Sequence, residues 1–180
     1  MMKKYALPIL CAAALFLSAC TTGKTVDGQQ DVELRCPETG LMHGTEKAVD
    51  TDKDGKPIAH TSLHDFTGSC KFAKDGAKAV LVNADLTFFA EHEDAAAVNF
   101  QKEVKYFVTI LSPKEKILAK SVFTAAIELD ESVGSGLVVE SIEQRIPMAD
   151  LNHAGAYKII YGLQLSKEQL AYNRKNGISR

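Results

Sequence analysis

Residues 77–92 read AKAVLVNADLTFFAEH. From Val80 onward every second residue is apolar, and most of the residues between them are polar. Successive side chains of a β-strand point to opposite faces, so this alternation places one apolar set on one side of a strand. The set comprises Val80, Val82, Ala84, Leu86 and Phe88. We therefore predict a long strand here that contributes one face to a hydrophobic core.

The same alternation of apolar and polar residues recurs in the sequence before and after this stretch. It predicts further strands over residues 63–72, 102–111, 117–129, 137–146 and 157–165, and a weak edge strand near residues 45–50. Lys74-Asp75-Gly76 and Ser112-Pro113-Lys114-Glu115 are turn signals that predict hairpins between neighbouring strands. Within residues 117–129 the pattern places seven residues on one face: Ile117, Ala119, Ser121, Phe123, Ala125, Ile127 and Leu129.

One helix is predicted, and it comes last, over residues 167–176. Ser166 is a favourable N-cap, and Gln169 three residues later completes a capping-box pattern. Gly177 provides a stop signal at the other end. The helix is short and largely polar, so we expect it to lie on the sheet and not to form core.

Seven strands joined mostly by hairpins, without helices between them, predict an all-β domain. The favoured architecture is an antiparallel β-sandwich with a short C-terminal helix, immunoglobulin- or fibronectin-like in the loose sense. The chain has no Trp, and the spacing of Cys36 and Cys70 is not that of the immunoglobulin inter-sheet bridge. A small up-and-down β-barrel is the alternative.

The N-terminus has the layout of a cleaved secretory signal. Lys3 and Lys4 precede an apolar core over residues 5–16, which is too short to cross a bilayer as a permanent helix. Residues 21–33 are polar and rich in Gly, Asp and Gln, as is typical of a flexible tether. We therefore predict a signal peptide over residues 1–19, a tether over residues 20–33 and the β-domain over residues 34–180.

The end of this signal, Leu17-Ser18-Ala19-Cys20, resembles the lipobox of bacterial lipoproteins. The resemblance implies that the Cys20 thiol receives diacylglycerol, that cleavage occurs before it, and that its new amino group is acylated, for instance with palmitate. Thr21 follows the cysteine, which implies sorting to the periplasmic face of the outer membrane. Four further motifs are similar to those of small outer-membrane lipoproteins of Gram-negative bacteria: Cys36-Pro37, Thr67-Gly68-Ser69-Cys70, Tyr106-Phe107-Val108 and Leu170-Ala171-Tyr172-Asn173-Arg174. This resemblance implies a lipidated β-domain and supplies no catalytic residues.

Cleavage would remove two lysines and no acidic residue, so the formal charge would change from −2 to −4. A mildly acidic chain without basic runs argues against a nucleic-acid partner. Cys11 would leave with the signal and Cys20 would carry lipid. The remaining pair, Cys36 and Cys70, is predicted to form a disulfide in an oxidising compartment. A metal pair or a redox pair is the alternative, although the Cys-x-x-Cys spacing is missing.

Asp50, Asp52 and Asp54, followed by Gly55, match the start of a calcium-binding loop. The twelfth position, where a bidentate Glu is needed, is Thr61. The same Asp-Gly pair is also typical of a hairpin tip between two strands. The hairpin is the favoured interpretation, and the calcium site is a weak alternative.

No catalytic pattern is present. Gly134-Ser135-Gly136 lacks the Gly-x-Ser-x-Gly spacing of a nucleophile elbow. We therefore predict a non-enzymatic protein without a cofactor, anchored in the membrane through Cys20. It would act as an interaction module in envelope assembly or maintenance, with another envelope protein as partner. A carrier of a small apolar ligand or lipid in a β-barrel is the alternative.

Overall fold

The computed structural model describes residues 35–94 and 101–178. The predicted signal peptide and Cys20 lie outside the described residues, as does the tether. The eight strands are β1 (Glu38–Leu41), β2 (Lys47–Thr51), β3 (Pro57–Phe72), β4 (Ala79–His92), β5 (Gln101–Leu111), β6 (Ile117–Glu128), β7 (Ser135–Pro147) and β8 (Lys158–Leu163). A 3₁₀ helix spans Leu151–Ala156, and helix α1 spans Lys167–Lys175.

The strands form two four-stranded sheets. The first sheet has the order β1-β8-β5-β6, and the second has the order β2-β3-β4-β7. All neighbouring strands are antiparallel except β1 and β8, which are parallel. The predicted all-β sandwich with a C-terminal helix is confirmed, whereas the described strands do not close into the alternative barrel. In residues 35–94 and 101–178, no helix is long and apolar enough to cross a membrane.

The core lies between the two sheets, and β4 contributes most of one side. The alternation predicted for β4 is confirmed, because Val80, Val82, Ala84, Leu86 and Phe88 are all buried. The facing sheet supplies a matching set that is also buried: Val104, Tyr106, Val108 and Ile110 on β5, and Ile159, Tyr161 and Leu163 on β8. The inward-facing apolar residues of the two sheets therefore form a single hydrophobic core.

Strand β3 is longer than predicted and changes face in its middle. Leu63 is paired with Phe88, but the next pair joins Asp65 to Thr87, so His64 is an extra residue in the ladder. A β-bulge of this kind moves the following side chains to the other face. The inward positions are odd-numbered up to Leu63 and even-numbered from Phe66, whose ring centroid lies 5.5 Å from that of Tyr161.

Strand β1 was not predicted from the sequence. It has only four residues, Glu38–Leu41, and only Leu41 among them is a large apolar residue. Its backbone pairs in parallel register with β8, from Glu38 opposite Lys158 to Leu41 opposite Tyr161. Local alternation cannot reveal a strand that depends on hydrogen bonds with the other end of the chain.

Helix α1 begins as predicted, and its capping box is present. The Gln169 backbone N–H donates to the Ser166 hydroxyl at 3.1 Å, and the Ser166 N–H donates to the Gln169 Oε1 at 2.8 Å. The helix packs against β2 at the edge of the second sheet. Asn173 is fully buried there, and its Nδ2 donates to the carbonyl oxygens of Gly44 and Lys47 at 3.2 and 2.7 Å.

The predicted shared face of β6 is buried only over its second half. Ala125 and Ile127 are buried, whereas Ile117 on the same face is 65% exposed. Ala119 and Ser121 are also exposed. Alternation identifies which side chains share a face, but it does not indicate how far the opposite sheet extends to cover them.

Candidate interaction surface

Among the described residues, exposed large apolar side chains are concentrated on two edge strands and the turn between them. Among the described residues seven such side chains are exposed, and only Met42 lies elsewhere. The other six lie on β6, on β7 or in their connection, and we call them the edge surface: Ile117, Leu118, Val122, Val133, Leu137 and Val139. Scattered single residues of this kind are ordinary, but several of them on two neighbouring strands are typical of elements that contact another molecule.

The fold places β6 and β7 side by side because each ends its own sheet and a short turn joins them. In that turn Asp130 accepts hydrogen bonds from the Ser132 hydroxyl and backbone N–H, which lower the pKa of the Asp130 carboxyl. Gly136 then passes so close to β6 that a Cβ there would lie 1.9 Å from the Glu128 carbonyl oxygen. Glycine at this position therefore permits the two edge strands to approach each other.

On the outer face of the first sheet, Lys120 lies between Leu118 and Val122 along β6. Its Nζ lies 4.3 Å from the centre of the Phe107 ring, a cation–π contact. Phe107 is itself buried, although it points away from the sandwich interior. Its ring also lies over Gly162, where a Cβ would be 2.7 Å from the ring. Part of this outer face is therefore packed, and the apolar side chains of β6 extend from it.

Strand β7 differs from β6 because polar side chains occupy its inward face. Glu140 and Gln144 alternate there with Val138 and Ile142, and all four are half-buried. Burial raises the pKa of Tyr106 to about 12, and the negative charge of Glu140 contributes in the same direction. A carboxylate therefore occupies the interior side of this edge.

The predicted disulfide is confirmed. Cys36 and Cys70 are bonded, with their Cα atoms 5.6 Å apart. Cys36 lies just before β1 of the first sheet, and Cys70 lies in β3 of the second sheet. The bond therefore links the entry of the chain into the domain to both sheets.

The three aspartates of the calcium candidate occupy a hairpin, as the favoured interpretation predicted. Asp52 Oδ1 accepts hydrogen bonds from the backbone N–H groups of Asp54 and Lys56, at 2.9 and 2.8 Å, inside the turn between β2 and β3. Asp50 forms an ion pair with Lys102, and its other oxygen accepts from Gln169 Nε2 at 2.8 Å. Among the residues described, no group of three or more His, Cys, Asp or Glu side chains could hold a metal ion.

No protein-family model matches the chain, and no curated protein or solved structure matches it either. The resemblance to outer-membrane lipoproteins therefore stays a prediction from the quoted motifs.

Sequence reasoning missed the edge surface, although a signal was present. Leu137 and Val139 lie on the face of their strand that also carries Ser141, Glu143 and Arg145. Apolar residues on both faces at one end of a strand indicate either burial on both sides or a contact surface. Leu137 and Val139 are exposed, so burial on both sides is excluded for this end of β7.

Proposed function

We propose that this protein is a lipid-anchored, non-catalytic module of the Gram-negative envelope. It is held through Cys20 at the periplasmic face of the outer membrane and contributes to envelope assembly or maintenance. Its edge surface contacts another envelope protein there. The lipobox residues 17–20 support the anchor, and the polar tether supports a domain that remains close to the membrane.

The observation that carries the proposal is that most of the exposed large apolar side chains among the described residues lie on the two edge strands β6 and β7 and the turn between them. Edge strands offer unpaired backbone groups, and neighbouring apolar side chains add area that a partner would bury. Anchoring raises the effective concentration of such a surface toward neighbours in the same membrane, so modest affinity is sufficient.

The carrier alternative has no comparable support. It depended on a barrel enclosing a cavity, and the described strands form two separate sheets with a packed core. We therefore retain the interaction module alone.

The membrane anchor is tested with Cys20→Ala. Because the thiol would be the lipid attachment point, we expect unprocessed precursor or soluble protein, measured by membrane fractionation. Cys11→Ala is the matched control, since this cysteine lies within the predicted signal and its loss should leave fractionation unchanged. An unchanged membrane fraction for Cys20→Ala would contradict the proposed anchor.

The contact surface is tested by cross-linking the anchored protein in native membranes. Val139→Asp places a charge in the edge surface and should reduce recovery of partner proteins. Thr67→Asp, an exposed position on β3 outside the edge surface, should have no such effect. Equal recovery for both variants would argue against the edge surface as the site of contact.

A further inference from the structure

The chain enters the sandwich beside the turn that joins β5 to β6. Glu38, the first residue of β1, lies opposite Lys158 of β8. Lys158 also lies opposite Leu111 at the end of β5, and Leu111 lies opposite Ile117 at the start of β6. The entry of the chain and the β5–β6 turn, residues 112–116, therefore lie at the same end of the first sheet. We call this the entry end.

The second sheet turns at the same end. Cys36, just ahead of β1, is bonded to Cys70, close to the end of β3. The turn that follows β3 spans residues 73–78, and the connection that returns from β7 to β8 spans residues 148–157. Because adjacent strands of the second sheet are antiparallel, the turn between β2 and β3 and the turn between β6 and β7 lie at the opposite end.

The entry end carries positive charge that is not neutralised within the domain. Its turns contain four exposed lysines that have no ion-pair partner among the described residues: Lys74, Lys78, Lys114 and Lys116. By contrast, the acidic side chains of these connections each contact a basic side chain: Asp75 and Arg145 at 2.8 Å, Glu115 and Lys158 at 3.2 Å, and Asp150 and His153 at 2.9 Å. The four lysines are therefore available to an anionic surface.

The opposite end has the reverse charge balance. Its connections over residues 52–56, 93–94 and 129–134 contain two lysines, Lys53 and Lys56, and six acidic residues: Asp52, Asp54, Glu93, Asp94, Asp130 and Glu131. The domain therefore has one basic and one acidic end. Near a negatively charged surface, such a charge distribution favours the orientation with the basic end toward that surface.

Exposed apolar side chains accompany the lysines of the β5–β6 turn. Ile117 and Leu118 directly follow Lys116, and they are 65% and 54% exposed. Successive side chains of a strand point to opposite faces, so these two project on both sides of the hairpin. At a bilayer interface, apolar side chains enter the acyl boundary while lysine ammonium groups remain among the headgroups. The residues of this turn match both layers of such an interface.

We propose that the entry end docks on an anionic phospholipid surface through the β5–β6 hairpin. The contacting residues are Lys114, Lys116, Ile117 and Leu118. This inference rests on the proposed anchor, which holds the domain beside a membrane. It assigns the hairpin end of the edge surface to lipid and leaves Leu137 and Val139 for the protein partner.

The position of the anchor favours the same orientation. Residues 21–34, which separate Cys20 from the first described residue, would span about 20 Å as the predicted polar tether. Strand β5 has 11 residues and is therefore about 35 Å long, which places the acidic end farther from the lipid by that length. Tether length and charge therefore both direct the entry end toward the membrane.

Docking is tested with the full anchored chain in vesicles of phosphatidylethanolamine and phosphatidylglycerol. A fluorophore is attached to Leu118→Cys or, at the opposite end, to Asp54→Cys. The introduced cysteine would be the only free thiol of the predicted mature chain, because Cys36 and Cys70 are bonded and Cys20 would carry lipid. Nitroxide-labelled lipid should quench the probe at position 118 and leave the probe at position 54 unquenched. Equal quenching at the two positions would overturn the inference.

The role of the lysines is tested by combining Lys114→Glu with Lys116→Glu. Because each lysine near an anionic surface favours the docked state about fivefold, this variant should lower the ratio of docked to undocked chain at least about tenfold. Lys53→Glu combined with Lys56→Glu is the matched control, since it changes the net charge equally in the opposite hairpin and should leave quenching at position 118 unchanged. An equal loss of quenching in both variants, or none in the first, would refute docking through this hairpin.

The mass of the purified chain separates this inference from the proposed anchor, because it shows whether Cys20 carries lipid. A lipidated chain whose Leu118 probe is not quenched would overturn only the docking, and would assign the hairpin to a protein partner if cross-linking in native membranes captured one there. A chain without lipid whose Leu118 probe is quenched would overturn only the anchor.

Discussion

Tyr161 occupies the centre of the core, and its hydroxyl oxygen is buried without a hydrogen-bond partner among the described residues. A buried polar group in this state reduces stability, because it gives up its hydrogen bonds to water. Burial also raises the pKa of Tyr161 to about 12. The ring itself packs against Phe66, so the side chain combines favourable aromatic packing with an unfavourable hydroxyl.

We therefore expect Tyr161→Phe to leave the free energy of unfolding unchanged or to raise it by about 1 kcal/mol. Tyr161→Ala should lower it by about 3–5 kcal/mol, because that change leaves a cavity. Chemical denaturation of the variants measures both. A clear loss of stability in Tyr161→Phe would show that the hydroxyl is hydrogen-bonded in solution.

The raised pKa of Tyr161 predicts that the free energy of unfolding decreases at alkaline pH. The folded pKa of about 12 exceeds the ordinary value of 10, so the folded state holds this proton more strongly. Its contribution is present below pH 10 and is lost as the pH rises toward 12. We expect Tyr161→Phe to flatten the decline between these values, measured as unfolding free energy against pH. An unchanged slope would contradict the raised pKa.

At the scale of elements, one carboxylate connects three of them. Asp50 of β2 accepts hydrogen bonds from Lys102 of β5 and from Gln169 of α1. Gln169 also closes the capping box with Ser166, so its two amide atoms join the start of the helix to the sheet edge. The two sheets and the helix therefore meet at Asp50.

We expect Asp50→Asn to lower the free energy of unfolding by about 1–3 kcal/mol, because the charge-assisted bond to Lys102 is weakened. Amide exchange in residues 167–176 should increase, since the helix loses part of its attachment. Asp54→Ala is the control, because Asp54 is exposed at the hairpin tip and should change stability little. Equal effects of the two substitutions would show that Asp50 has no special role.

The helix could be predicted from the sequence because its signals are local. Ser166, Gln169 and Gly177 specify its start and its end within twelve residues. By contrast, the contact of Gln169 with Asp50 joins positions 119 residues apart, and β1 depends on β8 in the same way. Period two identified the strand faces correctly in β4, but it could not indicate that the opposite sheet leaves Ile117 uncovered.

At the scale of the whole molecule, the disulfide adds a covalent cross-link between the residue just before β1 of the first sheet and β3 of the second sheet. Cys36 and Cys70 are 34 residues apart in sequence. Because the cross-link restricts the conformations of the unfolded chain, closing a loop of this length is expected to stabilise the domain by about 3–4 kcal/mol. This pairing could be predicted once Cys11 was assigned to the signal and Cys20 to lipid, whereas the order of strands in the sheets could not be predicted.

We therefore expect Cys70→Ala to lower the melting temperature of the domain by several degrees. Reducing agent should lower the melting temperature of the wild-type chain by a similar amount and should leave that of Cys70→Ala unchanged. Calorimetry with and without reductant measures both. A variant as stable as the oxidised wild-type chain would show that the bond adds little to stability.

The position of Cys36 also determines how the molecule would respond to mechanical force. Cys36 lies ahead of β1, so tension applied through the chain that precedes it reaches the disulfide before any sheet hydrogen bond. The bond transmits that tension to β3, a 16-residue strand held between β2 and β4. The short parallel β1 therefore lies outside the direct path of the pull and is not peeled away first. With the disulfide reduced, the same tension would act on β1 and shear it from β8.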